Sequence, residues 1–431
     1  MKDRRGNPVS TRSGQALDHA EMALWRMMSF FDAPLGDIDA AIAQDPDWML
    51  PHVMRAAFML TLTEPSLMAQ VHAALDRAQA LATHASERER AHLTAARQCA
   101  AGDWHGACGA WGRILEAHPR DLYALQWAHL FDFYRGDAAQ LEHRPHTALR
   151  HLDADDPLRP YVQGMQAFGL EESGCHDHAE SLGRQACATL AKVPWATHAV
   201  AHVMEMQGRF ADGLQWLSDT EPVWSEGNGF SGHHWWHRAL FHLEGLDIGS
   251  ALALYDAHLA GNEDLITLQR LDGAALLWRV HLLGGDVGTR WGGLAQGWDL
   301  SAAPVGHSCF NDLHALMVLL GQDRMHDAQQ LIEAAQARVD SAGDDNAAMA
   351  RDVGLPLMRG LLAQAQGRLD DAVQLIAPVR PIAHRFGGSH AQRDLITQTL
   401  LACGAGRAVL DERPQTQAQT PLTQHWSRLN A

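Results

Sequence analysis

The chain has 431 residues, with 34 basic against 51 acidic side chains, a formal charge of −17, and 46% hydrophobic residues. That composition supports a large core and argues against disorder. The acidic balance excludes nucleic acid and an anionic membrane surface as main partners, since both call for a basic face; no apolar run approaches the roughly 18 residues that span a bilayer.

Two lysines, Lys2 and Lys192, stand against 32 arginines. A Schiff-base or phosphate-loop lysine therefore has almost no candidate, and G-x-x-x-x-G-K-[ST] is absent. The six cysteines are scattered, form no C-x-x-C pair, and read as buried thiols of a reducing compartment. Histidine is plentiful at 27 residues, and imidazoles titrate near neutrality and ligate metals.

In chain order, residues 1–15 are polar and basic with no apolar export core, so the expected location is cytoplasmic. A repeat body is expected over 16–405. Its signature is a glycine, a polar residue, a large residue and then an alanine opening an amphipathic run. The phrase appears as Gly102-Asp103-Trp104-His105-Gly106-Ala107, at Cys175 to Ala179, and as Gly208-Arg209-Phe210-Ala211-Asp212-Gly213. It recurs at Arg324 to Ala328 and as Gly367-Arg368-Leu369-Asp370-Asp371-Ala372. Glycine permits the tight turn between antiparallel helices, and upstream of each phrase apolar residues recur at three- and four-residue spacing. Asp153 to Pro160 reads as a turn and Thr220 to Gly232 as a loop. Gly284 to Gly306 reads as a Gly- and Trp-rich stretch without helical periodicity, and 406–431 as a polar tail that frays after Asp411. The expected fold is all-α: an α-solenoid of tetratricopeptide-like helix pairs coiled around a concave central cavity.

The array, with His198-Ala199-Val200-Ala201-His202-Val203, His234-Trp235-Trp236-His237, Phe310-Asn311-Asp312-Leu313-His314-Ala315 and Gly387-Gly388-Ser389-His390-Ala391-Gln392-Arg393-Asp394, resembles the tetratricopeptide repeat protein 38 family, roughly from Leu24 to Leu401. The resemblance implies a closed-up helical-repeat fold and no particular reaction.

Taking the turn glycine as position fifteen, positions two, five, nine and twelve of a first helix face the hollow of such an array. For the unit ending at Gly208 these are Trp195, His198, His202 and Glu205. His233, His237 and Glu244 form a second stripe, with a one-residue ambiguity of register that leaves His234 and His242 open as the inward pair. Trp235 and Trp236 read first as core, with Trp236 kept as a ligand-facing candidate. His307, Asn311 and His314 form a third stripe. His390, Arg393 and Asp394 share the first turns of a helix that Ser389 is placed to cap.

These residues suit general acid–base chemistry, with His202, His237, His314 and Asp312 as the catalytic candidates. Trp195, His198, Glu205, His233, His234, Trp236, Asn311, His390, Arg393 and Asp394 are the ligand contacts, Arg393 as a bidentate carboxylate clamp. His198-x3-His202 lacks the glutamate of H-E-x-x-H, so no metal and no cofactor is assigned. G-x-S-x-G and a strand–G-x-G-x-x-G–helix context are absent, and Cys309 reads as structural. The expected function is binding of a small molecule or peptide in the concave cavity. An enzyme acting on a carboxylate-bearing small molecule and a protein–protein scaffold are the alternatives. Neither nucleic acid nor membrane is an expected partner, and a homo-oligomer is left open.

Overall fold

The structure is a computed structural model that describes residues 1–260, 265–411 and 420–430. Among these residues the regular elements are helical, with isolated bridges at Lys2–Pro8 and Phe31–Asn228 as the β pairing. The chain divides into two compact units, one of residues 1–200 and 222–230, the other of residues 201–221 and 231–431.

One local device recurs through both units. At Gly102, Gly136, Gly174, Gly208, Leu246, Gly284, Asp323, Gly367 and Gly404 the backbone takes a positive φ directly after a helix. In each case the next residue donates its N–H to the carbonyl five residues back, as in Asp103 to Gln98, Arg209 to Met204, Asp247 to His242 and Ala405 to Leu400, at 2.8–3.1 Å. This is a Schellman closure, which satisfies the last helical carbonyls and reverses the chain. The spacing runs from 34 residues (Gly102 to Gly136) to 44 (Asp323 to Gly367). All five phrases read from the sequence fall on these turns. Asp103, Asp137 and Asp247 then cap the next helix, accepting from Gly106, Gln140 and Ser250 N–H.

In the first unit, helices from Gly14–Ser29 to His176–Thr189 pack mainly on their sequence neighbours. The polar segment 1–15 is partly buried. Asp3, Arg5, Asn7, Val9 and Thr11 are buried alternately, and the Arg5 guanidinium pairs with Glu21 at 2.8 Å. Residues 30–32 and 227–229 exchange backbone bonds, Asp32 N–H to Gly227 O at 3.1 Å and Gly229 N–H to Phe30 O at 2.8 Å.

In the second unit, Ser231–Glu244 packs on Thr267–Leu282, which packs on Cys309–Gly321 and also on His390–Ala402. Two buried side chains of Thr267–Leu282 make the last contact specific: Trp278 Nε1 donates to Thr399 Oγ1 at 3.2 Å, and Arg279 donates to the Ala391 carbonyl at 2.6 Å.

Three expectations need correction. The 220–232 loop shrinks to 225–230, because Phe210–Trp224 continues through Thr220 and the next helix starts at Ser231. Pro222 sits two residues from the end of that helix, inside its last turn. The 284–306 stretch contains a short helix, Arg290–Ala295, with Trp291 and Leu294 buried. Of the 406–431 tail, residues 412–419 and 431 lie outside the described residues, but Pro421–Leu429 is a helix. Leu422 and Trp426, one turn apart, join Leu401 and Leu410 in a core cluster flanked by Leu246, Leu282 and Leu283. Trp426→Ala is therefore expected to destabilise the protein by about 3–5 kcal/mol, read as a shifted denaturation midpoint. A loss under about 1 kcal/mol would detach this helix from the core.

Candidate imidazole–carboxylate site

The second unit gathers ionisable side chains that lie far apart in sequence. His202 and Glu205 come from the Pro194–Met206 helix, one turn apart, just ahead of the Gly208 closure. His233, Trp236 and His237 come from Ser231–Glu244, on one face by their spacing of three and four. Asp272 and Arg279 come from Thr267–Leu282.

His237 is at the centre. Its Nδ1–H donates to Glu205 Oε2 at 2.9 Å. Its ring lies 4.5 Å from His202, 4.8 Å from His233 and 4.8 Å from Trp236, centre to centre. His233 repeats the arrangement: its Nδ1 meets the Asp272 carboxylate at 2.9 and 3.0 Å, while its ring stacks on Trp236 at 5.1 Å. The Arg279 guanidinium covers Trp236 at 5.5 Å. His202 and His237 are fully buried, whereas His233 keeps 15% of its side chain exposed. Burial first, and then the neighbouring His202, His233, His234 and Arg279, push the His237 pKa well below the usual imidazole value. His237 is thus neutral near pH 7, with Nδ1–H committed to Glu205 and Nε2 left as the basic nitrogen.

His314 lies within electrostatic range of the same Asp272 and Arg279. Its Nδ1–H is held by the Phe310 carbonyl at 2.8 Å. Burial lowers its pKa to about 4, with Asp272 opposing that shift. Asp312, expected as a partner of these imidazoles, instead accepts the Gly306 N–H at 2.9 Å. Burial raises its pKa to about 7.

No family model matches the chain. The placement of the remaining candidates rests on geometry. Trp195 and His198 fall in the first unit, in an aromatic cluster with Phe30, Phe168 and Phe230. His233 pairs with Asp272, and His242 pairs with Asp247 at 3.2 Å near the surface; His234 is fully buried. Asn311 lies in the first turn of its helix, its N–H facing the Ser308 cap at 3.5 Å.

The expected bend at Gly387–Gly388 is present, with φ of +86° and +79°. Ser389 caps the helix by accepting from Gln392 N–H. A side chain at Gly388 would also meet the Phe310 ring at 2.7 Å. Arg393, expected as a carboxylate clamp, donates to the Gly388 carbonyl and so ties down its own helix start. Asp394 accepts from Gln398 at 2.7 Å, and His390 is exposed. Cys309 is fully buried and its thiol is pushed up by that burial, as suits a structural residue.

Sequence reasoning missed Asp272 and Arg279, which lie in a stretch, Arg270 to Val280, that the fold buries at every position, so that neither has a solvent-facing stripe to occupy.

The Asp312 shift has a testable sign. Because its folded pKa lies above the unfolded value, its stabilising contribution is complete below about pH 4 and is lost as pH rises through about 7. Asp312→Asn keeps an acceptor for Gly306 and never ionises. Its stability relative to the parent should therefore rise by about 2 kcal/mol between pH 5 and pH 8, measured by urea denaturation at both. A pH-independent difference would refute the assignment.

Proposed function

We propose that this chain is a cytoplasmic α-solenoid of tetratricopeptide-like helix pairs, akin to the tetratricopeptide repeat protein 38 family, that binds a small polar molecule at the His202–His233–His237 cluster and acts on it by general acid–base chemistry. The recurring left-handed turns and the packing of successive helices support the repeat architecture. The four phrases quoted for the resemblance support the kinship.

One observation carries the functional reading. Two adjoining imidazoles each have Nδ1 held by a carboxylate, His237 by Glu205 and His233 by Asp272. A carboxylate on Nδ1 fixes tautomer and ring orientation and leaves Nε2 to take or give a proton. Packing alone gives no reason to engage two neighbouring rings in this way, since each buried carboxylate carries a desolvation cost. The half-buried His233 is the ring nearest solvent and the one a substrate meets first.

The test is a thermal-shift screen of carboxylic acids, amino acids and sugars, with a metal chelator present throughout. Compounds that raise the melting temperature of the parent are expected to lose that effect with His233→Ala, a substitution at a part-exposed position that leaves the helix intact. Hits that stabilise both proteins equally, or no hits at all, would remove the binding function from this cluster.

A further inference from the structure

The same three imidazoles have a second property. One ligating atom from each of His202, His233 and His237 lies within 4.8 Å of the others. Nitrogen ligands at about 2.0–2.1 Å from a tetrahedral zinc ion sit about 3.4 Å apart, so small side-chain rotations bring these three into a coordination shell. Three histidines on two helices supply three of the four positions of a tetrahedral shell.

The surroundings match what such a shell requires. A metal-ligating imidazole generally gives its other ring nitrogen to a carboxylate, which orients the ring and raises its basicity. His237 does so to Glu205 and His233 to Asp272, at 2.9 Å in each case. Both carboxylates are buried, at 8% and 5% exposure.

We propose that His202, His233 and His237 form a three-histidine site for a divalent transition-metal ion of borderline softness, zinc foremost, with Glu205 and Asp272 as the orienting carboxylates. Imidazole donors suit zinc, copper, nickel and iron rather than magnesium or calcium, which take oxygen ligands. The proposal deepens the functional reading of the same cluster. It adds a metal to a chain whose sequence carries no complete metal motif.

The test uses the full chain stripped with a chelator and titrated with zinc alone, and separately with cobalt(II), by calorimetry and visible absorption. The expected result is one tight equivalent, with the intense visible bands of tetrahedral cobalt. His237→Ala should abolish it, and Glu205→Gln, which keeps the side-chain volume, should weaken it 10- to 100-fold. His178→Ala, on the exposed face of the first unit, should leave it unchanged. Circular dichroism establishes which variants fold; if His237→Ala does not, His233→Ala and Glu205→Gln decide. With 27 histidines in the chain, weak surface binding is a real alternative outcome. Several loose equivalents that survive both His233→Ala and Glu205→Gln would overturn the proposal, as would no stoichiometric binding. Small-molecule stabilisation that persists in chelator while zinc fails would remove the metal and keep the acid–base reading. Zinc binding without any small-molecule hit would do the reverse.

Discussion

The left-handed closure after each first helix is the constraint on which the architecture rests. Among the described residues the chain nine times places one residue at positive φ and gains a hydrogen bond to the carbonyl five residues back. Seven of the nine positions are glycine, for which this conformation is free of the Cβ clash. Leu246 and Asp323 are not, and Leu246 shows what compensates: its side chain packs against the Leu401–Leu410–Leu422–Trp426 cluster. The C-terminal helix thus supports a turn that the local sequence alone would disfavour.

The closures also position the chemistry. The Gly208 turn ends the helix that carries His202 and Glu205, and the Leu246 turn ends the helix that carries His233 and His237. Side chains three or four residues apart share a helix face, so each helix delivers a compact pair, and the ring contacts follow from bringing the pairs together. Arg279 then serves two structural ends, covering Trp236 and holding the Ala391 carbonyl of His390–Ala402.

Electrostatics separates the ionisable groups into roles. Burial keeps His237 and His314 neutral, while it raises Asp312 towards its protonated form. In the first unit burial pushes Asp121 upward as well, but Arg88 and His92 outweigh it and hold that carboxylate far below the usual range. The difference lies in the partners: Asp121 meets a guanidinium and an imidazole, whereas Asp312 meets one backbone N–H. Asp121 is therefore a structural ion pair.

Much of the fold was legible in the residues because the turn is a local event. A glycine, the residue after it and the periodicity on either side suffice to specify a bond spanning five residues, and the five phrases all land on closures. The bend at Gly387–Gly388 and the cap at Ser389 were readable for the same reason. The polar composition of 412–430 hid the helix Pro421–Leu429, whose three buried residues include only two large apolar ones, too few to show a period. Helical spacing alone marked His202, Glu205, His233 and His237 as candidates. It could not say that Glu205 would hold His237, that Asp272 would choose His233, or that Arg393 would turn back on its own helix start. Those pairings join residues on different helices or depend on how a side chain folds back, and packing decides them. A stripe of histidines fixes a face; only the neighbouring helix decides which rings acquire a carboxylate, and so which nitrogens remain to do chemistry.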